Sequence, residues 1–335
     1  MEPIVIQEQG SFMFGGAVEQ RGDGTTMHGD HGYVHYQIPA GATKVPLILW
    51  HGFGQSGKTW EQTPDGREGF QNIFLRRGHP VYIVDQPRRG RAGQTVTGKV
   101  VPDATDEGNF FNDQAVFEAF RLGTWAPGGQ PEFFENLAFP RDEESLSQFL
   151  RWGTPNTGPE DFSDEVREVQ ASAMAALFDR IGPAVLVIHS NGGQYGWLGA
   201  IKSSNVRAIA AYETGGGQIL PESAEPEYLD ISEEPWLEPW VKPNIVPDEQ
   251  FDRLTRIPIQ IIWGDNWDKL LEQRLYIRRV KQLVSELKTR GGDAELVELP
   301  KIGIVGNSHF PFSDLNNIEV ADALSAWLEA KGLSA

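Results

Sequence analysis

Short apolar runs alternating with helix-length segments constrain this chain more than any other feature. Val45–Trp50, Val81–Val84, Ala184–Ile188, Ala208–Tyr212, Ile257–Trp263 and Ala294–Leu299 are each too short for a buried helix and read as strands. Helical stretches separate them: one ending at Arg77, then about 164–181, 193–202, 269–290 and 317–331. Residues 4–19 and 31–38 add two strands at the amino-terminal end, joined by Gly-rich turn signals. Strands that alternate with helices predict a mostly parallel central sheet flanked by helices, the α/β class. The 335 residues suit one such domain with insertions.

Two stretches break the alternation. Residues 94–162 hold Phe110, Phe111, Phe117, Phe120, Trp125, Phe133, Phe134, Phe139, Phe149 and Trp152 among prolines and glycines. Residues 217–250 are rich in Pro and Glu and include Trp236 and Trp240. Structureless loops this long are usually functional. Both follow strands, at the carboxyl edge where α/β sheets bind ligands. The expected division is a core of residues 1–93 and 163–335, with 94–162 as an aromatic lid and 217–250 as a second excursion at the same edge. The aromatics of the insertion would equally give it a small core of its own.

A formal net charge of −18 argues against nucleic acid and anionic lipid surfaces, which reward clustered Lys and Arg. No run approaches the roughly 20 apolar residues of a membrane span. The absence of cysteine excludes disulfides, thiolate metal sites and a cysteine nucleophile. Met1-Glu2-Pro3-Ile4-Val5 has no basic n-region followed by an apolar segment. A cytoplasmic protein is expected, or a periplasmic or secreted one if a signal peptide was removed.

Ile188-His189-Ser190-Asn191-Gly192-Gly193 lies between the most apolar strand and a helix, the setting of a nucleophile elbow. Gly192 meets the demand for a small residue after the nucleophile; Ile188 replaces the usual glycine before it. A serine in this place also serves as a helix N-cap. As a nucleophile it needs a base, and His is the usual one. Of the seven histidines, His28, His31 and His35 lie in the amino-terminal hairpin and His79 at the opposite end of the sheet. His51 and His189 read as structural. His309 remains, in Val305-Gly-Asn-Ser-His-Phe-Pro, between the last strand and the final helix.

Two places offer the acid that would orient the imidazole. Trp263-Gly-Asp-Asn-Trp-Asp supplies Asp265 and Asp268, and Glu213 ends the strand Ala208–Tyr212. A carboxylate at the end of a buried strand is costly unless paired, which favours a role for Glu213, while Asp265 and Asp268 stay open. Trp50-His-Gly-Phe-Gly-Gln follows the third strand. Its backbone N–H at Phe53, with Gly54 as the alternative, would complete an oxyanion hole with the N–H of Asn191.

Four segments carry a resemblance: His51-Gly-Phe-Gly-Gln-Ser-Gly-Lys-Thr-Trp-Glu-Gln-Thr-Pro-Asp-Gly-Arg, Val84-Asp-Gln-Pro-Arg-Arg-Gly-Arg, His189-Ser-Asn-Gly-Gly and Gly306-Asn-Ser-His-Phe. They resemble bacterial α/β-hydrolase carboxylesterases with a Ser-His-Glu triad, from about residue 10 to the last helix. In that family the acid follows the sixth strand, so the resemblance implies Glu213. It also implies the α/β-hydrolase fold with an inserted lid, a homodimer, and a small-molecule ester as substrate. The best-known relatives have a cysteine pair where this chain has Phe53-Gly54, and often Gln in place of Asn191. Pocket size and acyl preference are expected to differ accordingly.

Acyl transfer through Ser190 uses no metal and no organic cofactor, so none is expected. Gly54 and Trp236 are expected to line the substrate pocket. The alternatives are a lactonase, amidase or other serine hydrolase on the same fold, or a hydrolase-like protein that binds without catalysing.

Overall fold

The computed structural model describes residues 2–96, 112–158 and 160–334. Eight strands form one sheet: β1 (Ile6–Gln20), β2 (Thr26–Pro39), β3 (Leu47–Trp50), β4 (Val81–Asp85), β5 (Ala184–His189), β6 (Val206–Tyr212), β7 (Ile259–Trp263) and β8 (Ala294–Glu298). Their spatial order is β1-β2-β4-β3-β5-β6-β7-β8. The pairs β1/β2 and β2/β4 are antiparallel, and all others are parallel. The long β1–β2 hairpin, of which β1 is largely exposed and β2 mostly covered, therefore extends one edge of a parallel sheet.

The central parallel strands β3, β5 and β7 are buried throughout, which explains why they read as unbroken apolar runs instead of alternating ones, while the edge strand β8 is only partly buried. Along β5, Ala184, Leu186 and Ile188 pack into one core while Val185 and Val187 pack into the other. The first core holds α4 (Asp164–Ile181), α5 (Gly193–Lys202) and α6 (Leu271–Thr289) against the sheet; α1 (Phe70–Arg76) and α7 (Asn317–Ala330) cover the opposite face. Helices on both faces leave only the ends of the strands open. Glu213 and the loop carrying Gly52–Gln55 lie there, as does the turn at Ser190.

Within the insertion, α2 (Asp113–Ala119) and α3 (Glu143–Leu150) are joined by a two-residue antiparallel ladder, Gly123–Thr124 with Glu132–Phe133. Phe117, Phe139, Phe149 and Trp152 are buried in the same apolar cluster as Phe310 and Phe312, beyond the last strand. The aromatics of the insertion thus join the main core on one side. Phe110 and Phe111 lie outside the described residues. Among the described residues, no helix is long and apolar enough to cross a membrane.

Candidate active site

Strand β5 ends at His189, and Ser190 turns the chain straight into a helical segment with φ of 51°. A left-handed conformation at a non-Gly residue costs of order 1–3 kcal/mol and persists only where the surroundings enforce it. They do so here through close packing. A Cβ at Gly52 would lie 2.7 Å from Ser190 Cβ, and one at Gly192 would lie 2.8 Å from the His51 carbonyl oxygen. The missing glycine two residues before Ser190 is explained one turn later. Ile188 reaches across to Gly196, where an added Cβ would stand 2.8 Å from Ile188 Cδ1. The space that a small residue at 188 would leave is supplied by the helix.

His309 Nε2 stands 2.8 Å from Ser190 Oγ. Its Nδ1 faces Glu213 Oε2 at 3.4 Å and has no other acceptor among the described residues. Catalytic hydrogen bonds are commonly long before substrate binds and tighten afterwards. Three supports fix the imidazole. Its backbone N–H donates to the Phe120 carbonyl at 3.0 Å, its carbonyl lies 2.9 Å from His189 Nε2, and its ring stacks on Phe120 at 5.2 Å. His189, the neighbour of the serine in sequence, therefore ties down the loop that carries the other histidine. Burial drives the His189 imidazole well below its ordinary pKa, so it serves as a neutral strut.

Glu213 follows β6, also with positive φ at 56°, and is fully buried. Its carboxylate is gripped by Arg121, with Nη2 2.7 Å from Oε1 and Nη1 2.8 Å from Oε2, and Gly264 N–H also donates to Oε1. Burial pushes this carboxyl up; Arg121 and His309 together outweigh burial and hold it below the usual carboxylate value. The same burial lowers the pKa of His309, against the pull of Glu213 in the other direction.

The structure does not bring Asp265 to the imidazole. Its carboxylate accepts from Gly306 N–H at 2.9 Å and Asn136 Nδ2 at 3.1 Å, which pins the start of the histidine loop. Asp268 is exposed. His51, buried, lies with Nδ1 2.9 Å from the Gly52 carbonyl and accepts from Gln86 N–H; burial lowers it to about 4.

Asn191 N–H lies in the first turn of the segment opening at Ser190, where backbone donors have no intrahelical acceptor. Phe53 and Asn191 both line a cavity of about 140 Å³ with Ser190 and His309 on its wall. Its other walls include Val116, Phe120, Trp236, Trp240 and Tyr276. Trp236 stands at the rim, more than half exposed, with its indole N–H on Glu234. Gly54 lies instead in an adjoining cavity of about 200 Å³, which shares Phe53, Val116 and Phe120 with the first and adds Gln55, Arg89 and Thr154.

Arg121 is the residue that sequence reasoning missed. The signal was present: an arginine in Ala119-Phe-Arg-Leu122, among apolar residues, needs a buried anion, as Glu213 needs a buried cation.

Comparison with known proteins agrees with this architecture. A bacterial esterase of known structure superposes with a TM-score of 0.78 at 26% identity, over 99% of this chain and 98% of its own. A probable secreted lipase, phiG, of Fungal sp. (strain ATCC 74256) is 29% identical over 333 residues, covering 89% of this chain and 85% of the relative. Residues 47–323 match the sequence model of the alpha/beta hydrolase family, which together with the strand order and the turn at Ser190 shows that the chain belongs to that family.

Proposed function

We propose that the protein is a carboxylic-ester hydrolase that works through an acyl-enzyme on Ser190. The observation that carries this reading is the 2.8 Å contact between Ser190 Oγ and His309 Nε2, made at a strained turn on the wall of an apolar cavity. Ser190 Oγ attacks the ester carbonyl carbon while His309 Nε2 takes its proton. Glu213 holds the imidazole and stabilises its charged form. The carbonyl oxygen, now an anion, rests on the N–H groups of Phe53 and Asn191. His309 then gives its proton to the departing alkoxide and takes one from water; the resulting hydroxide attacks the acyl carbon, and His309 returns the proton to Ser190 Oγ as the acid leaves.

The aromatic cavity receives an apolar part of the ester, and the insertion acts as its lid through Val116 and Phe120; residues 97–111 of the 94–162 stretch lie outside the described residues. The bacterial esterase and the fungal lipase support ester over other acyl substrates. A panel of p-nitrophenyl esters beside lactones and anilides tests this. Each added CH₂ is expected to raise kcat/KM about fourfold, the equivalent of ~0.8 kcal/mol, until the small cavity is full. Turnover of lactones or anilides well above that of every ester would overturn the ester assignment.

The proton balance gives a second expectation. Catalysis needs His309 neutral, and burial lowers its pKa from 6.5. The acid limb of kcat/KM should therefore fall below pH 6.5, with activity retained above the limb and lost as pH drops through it. A limb above 6.5, measured with a substrate whose release is followed by pH-stat, would contradict this.

A further inference from the structure

We propose that Arg121, supplied by the insertion and not by the sheet, is a positioning residue of the Glu213–His309 pair that fixes the carboxylate and extends the reaction to lower pH. The inference rests on the triad reading above. Its basis is geometric. Arg121 is fully buried, sits just past α2 with φ of 60°, and spends every donor group on the catalytic end of the sheet. Two of its nitrogens hold the two oxygens of Glu213. Nε donates to the Asp265 carbonyl at 3.0 Å, Nη2 also to the Ser308 carbonyl at 3.1 Å, and Nη1 also to Gln273 Oε1 at 3.0 Å. One guanidinium thus joins the insertion to the acid, to the loop after β7 and to the residue before His309.

A planar bidentate fork fixes both the position and the rotation of a carboxylate, which a single contact cannot do. Glu213 in turn has one oxygen, Oε2, that must serve both Arg121 and His309. The imidazole therefore shares an anion already neutralised by a cation. Removing that cation raises the affinity of the pair for a proton, whichever of the two side chains takes it up. A protonated pair is inactive in either case, since the reaction needs a neutral imidazole beside an ionised acid.

Among the described residues, the other ionisable groups around the pair are His189 at the end of β5, Asp265 after β7, Asp314 beyond His309, and Glu272 and Tyr276 on α6. All of them persist when Arg121 is replaced. Phe120, the residue before Arg121, stacks on the His309 ring and accepts from its N–H. Two consecutive residues of the insertion thus hold both the base and the acid, and the pair has its low proton affinity only while the insertion is seated.

The pH profile of kcat/KM for an ester, followed by pH-stat in the full-length protein, tests this with Arg121→Gln, Arg121→Met and Arg121→Lys. The two neutral variants should move the acid limb upward by roughly 1 unit or more, the scale on which a contact charge shifts a carboxylate. Arg121→Lys keeps the charge and should hold the limb close to that of the parent while kcat falls, because the fork is lost. Neutral variants whose limb coincides with the parent's, with kcat merely reduced, would overturn the proposal. So would an Arg121→Gln protein that does not fold, which would assign the arginine to the scaffold. Ser190→Ala measured alongside separates the two levels. An active parent whose neutral Arg121 variants leave the limb unmoved sinks only the role of Arg121, whereas a parent no faster than Ser190→Ala sinks the hydrolase reading and this inference with it.

Discussion

Replacing Ser190 or His309 by Ala is expected to lower kcat by roughly 10⁴–10⁶, the scale for triad members. The effect should be on kcat more than KM, because both side chains act at the reacting carbonyl while the apolar part of the substrate meets Val116, Phe120, Trp236, Trp240 and Tyr276. Both groups act in one proton transfer, so the double variant should be little worse than either single one. Neither substitution should abolish folding. Ser190→Ala removes one oxygen and relieves no packing, and the His309 backbone keeps its bonds to Phe120 and His189. A loss below tenfold in steady-state hydrolysis by either variant would remove that residue from the reaction.

Glu213→Gln should damage both rate and stability, and the two effects have different origins. Loss of the anion behind His309 is expected to lower kcat by roughly 10²–10⁴. The stability loss comes from Arg121, which would keep its charge in a fully buried site with its main anionic partner gone. Breaking a buried ion pair from one side costs about 3–5 kcal/mol. Denaturant titration should register that loss, whereas Asp265→Asn or Asp268→Asn should leave kcat within a small factor of the parent. Asp265→Asn is expected to loosen the histidine loop instead, through its contact with Gly306 N–H. A Glu213→Gln protein with unchanged kcat, beside a crippled Asp265 or Asp268 variant, would show that the acid lies after β7.

The core strands were legible because they are short, continuous and apolar. Ala184–Ile188 and Ala208–Tyr212 each lengthen in the structure by only one or two residues, to Ala184–His189 and Val206–Tyr212. Their ends in turn placed Ser190 and Glu213 at one edge of the sheet. Contacts between segments far apart in the chain were less accessible. Periodicity could not reveal that Ile188 finds its space at Gly196, nor that His189 bonds to the carbonyl of His309. The choice between Glu213 and Asp265 was open on local chemistry, since both end strands and both precede turns. Only the folded chain distinguishes a carboxylate facing Nδ1 from one bonded to Gly306 N–H. The partner of Arg121 was hidden for a related reason: an arginine among apolar residues calls for a buried anion, but nothing local to it says that the anion lies 92 residues away.

The central claim is that Ser190 is made nucleophilic by His309, and a fluorophosphonate probe reads that property without any assumption about the natural substrate. Mass-spectrometric mapping of the adduct should find the phosphonyl group on Ser190, with labelling abolished in Ser190→Ala and slowed by orders of magnitude in His309→Ala. A parent protein that stays unlabelled, or one labelled elsewhere and equally well after His309→Ala, would contradict the account.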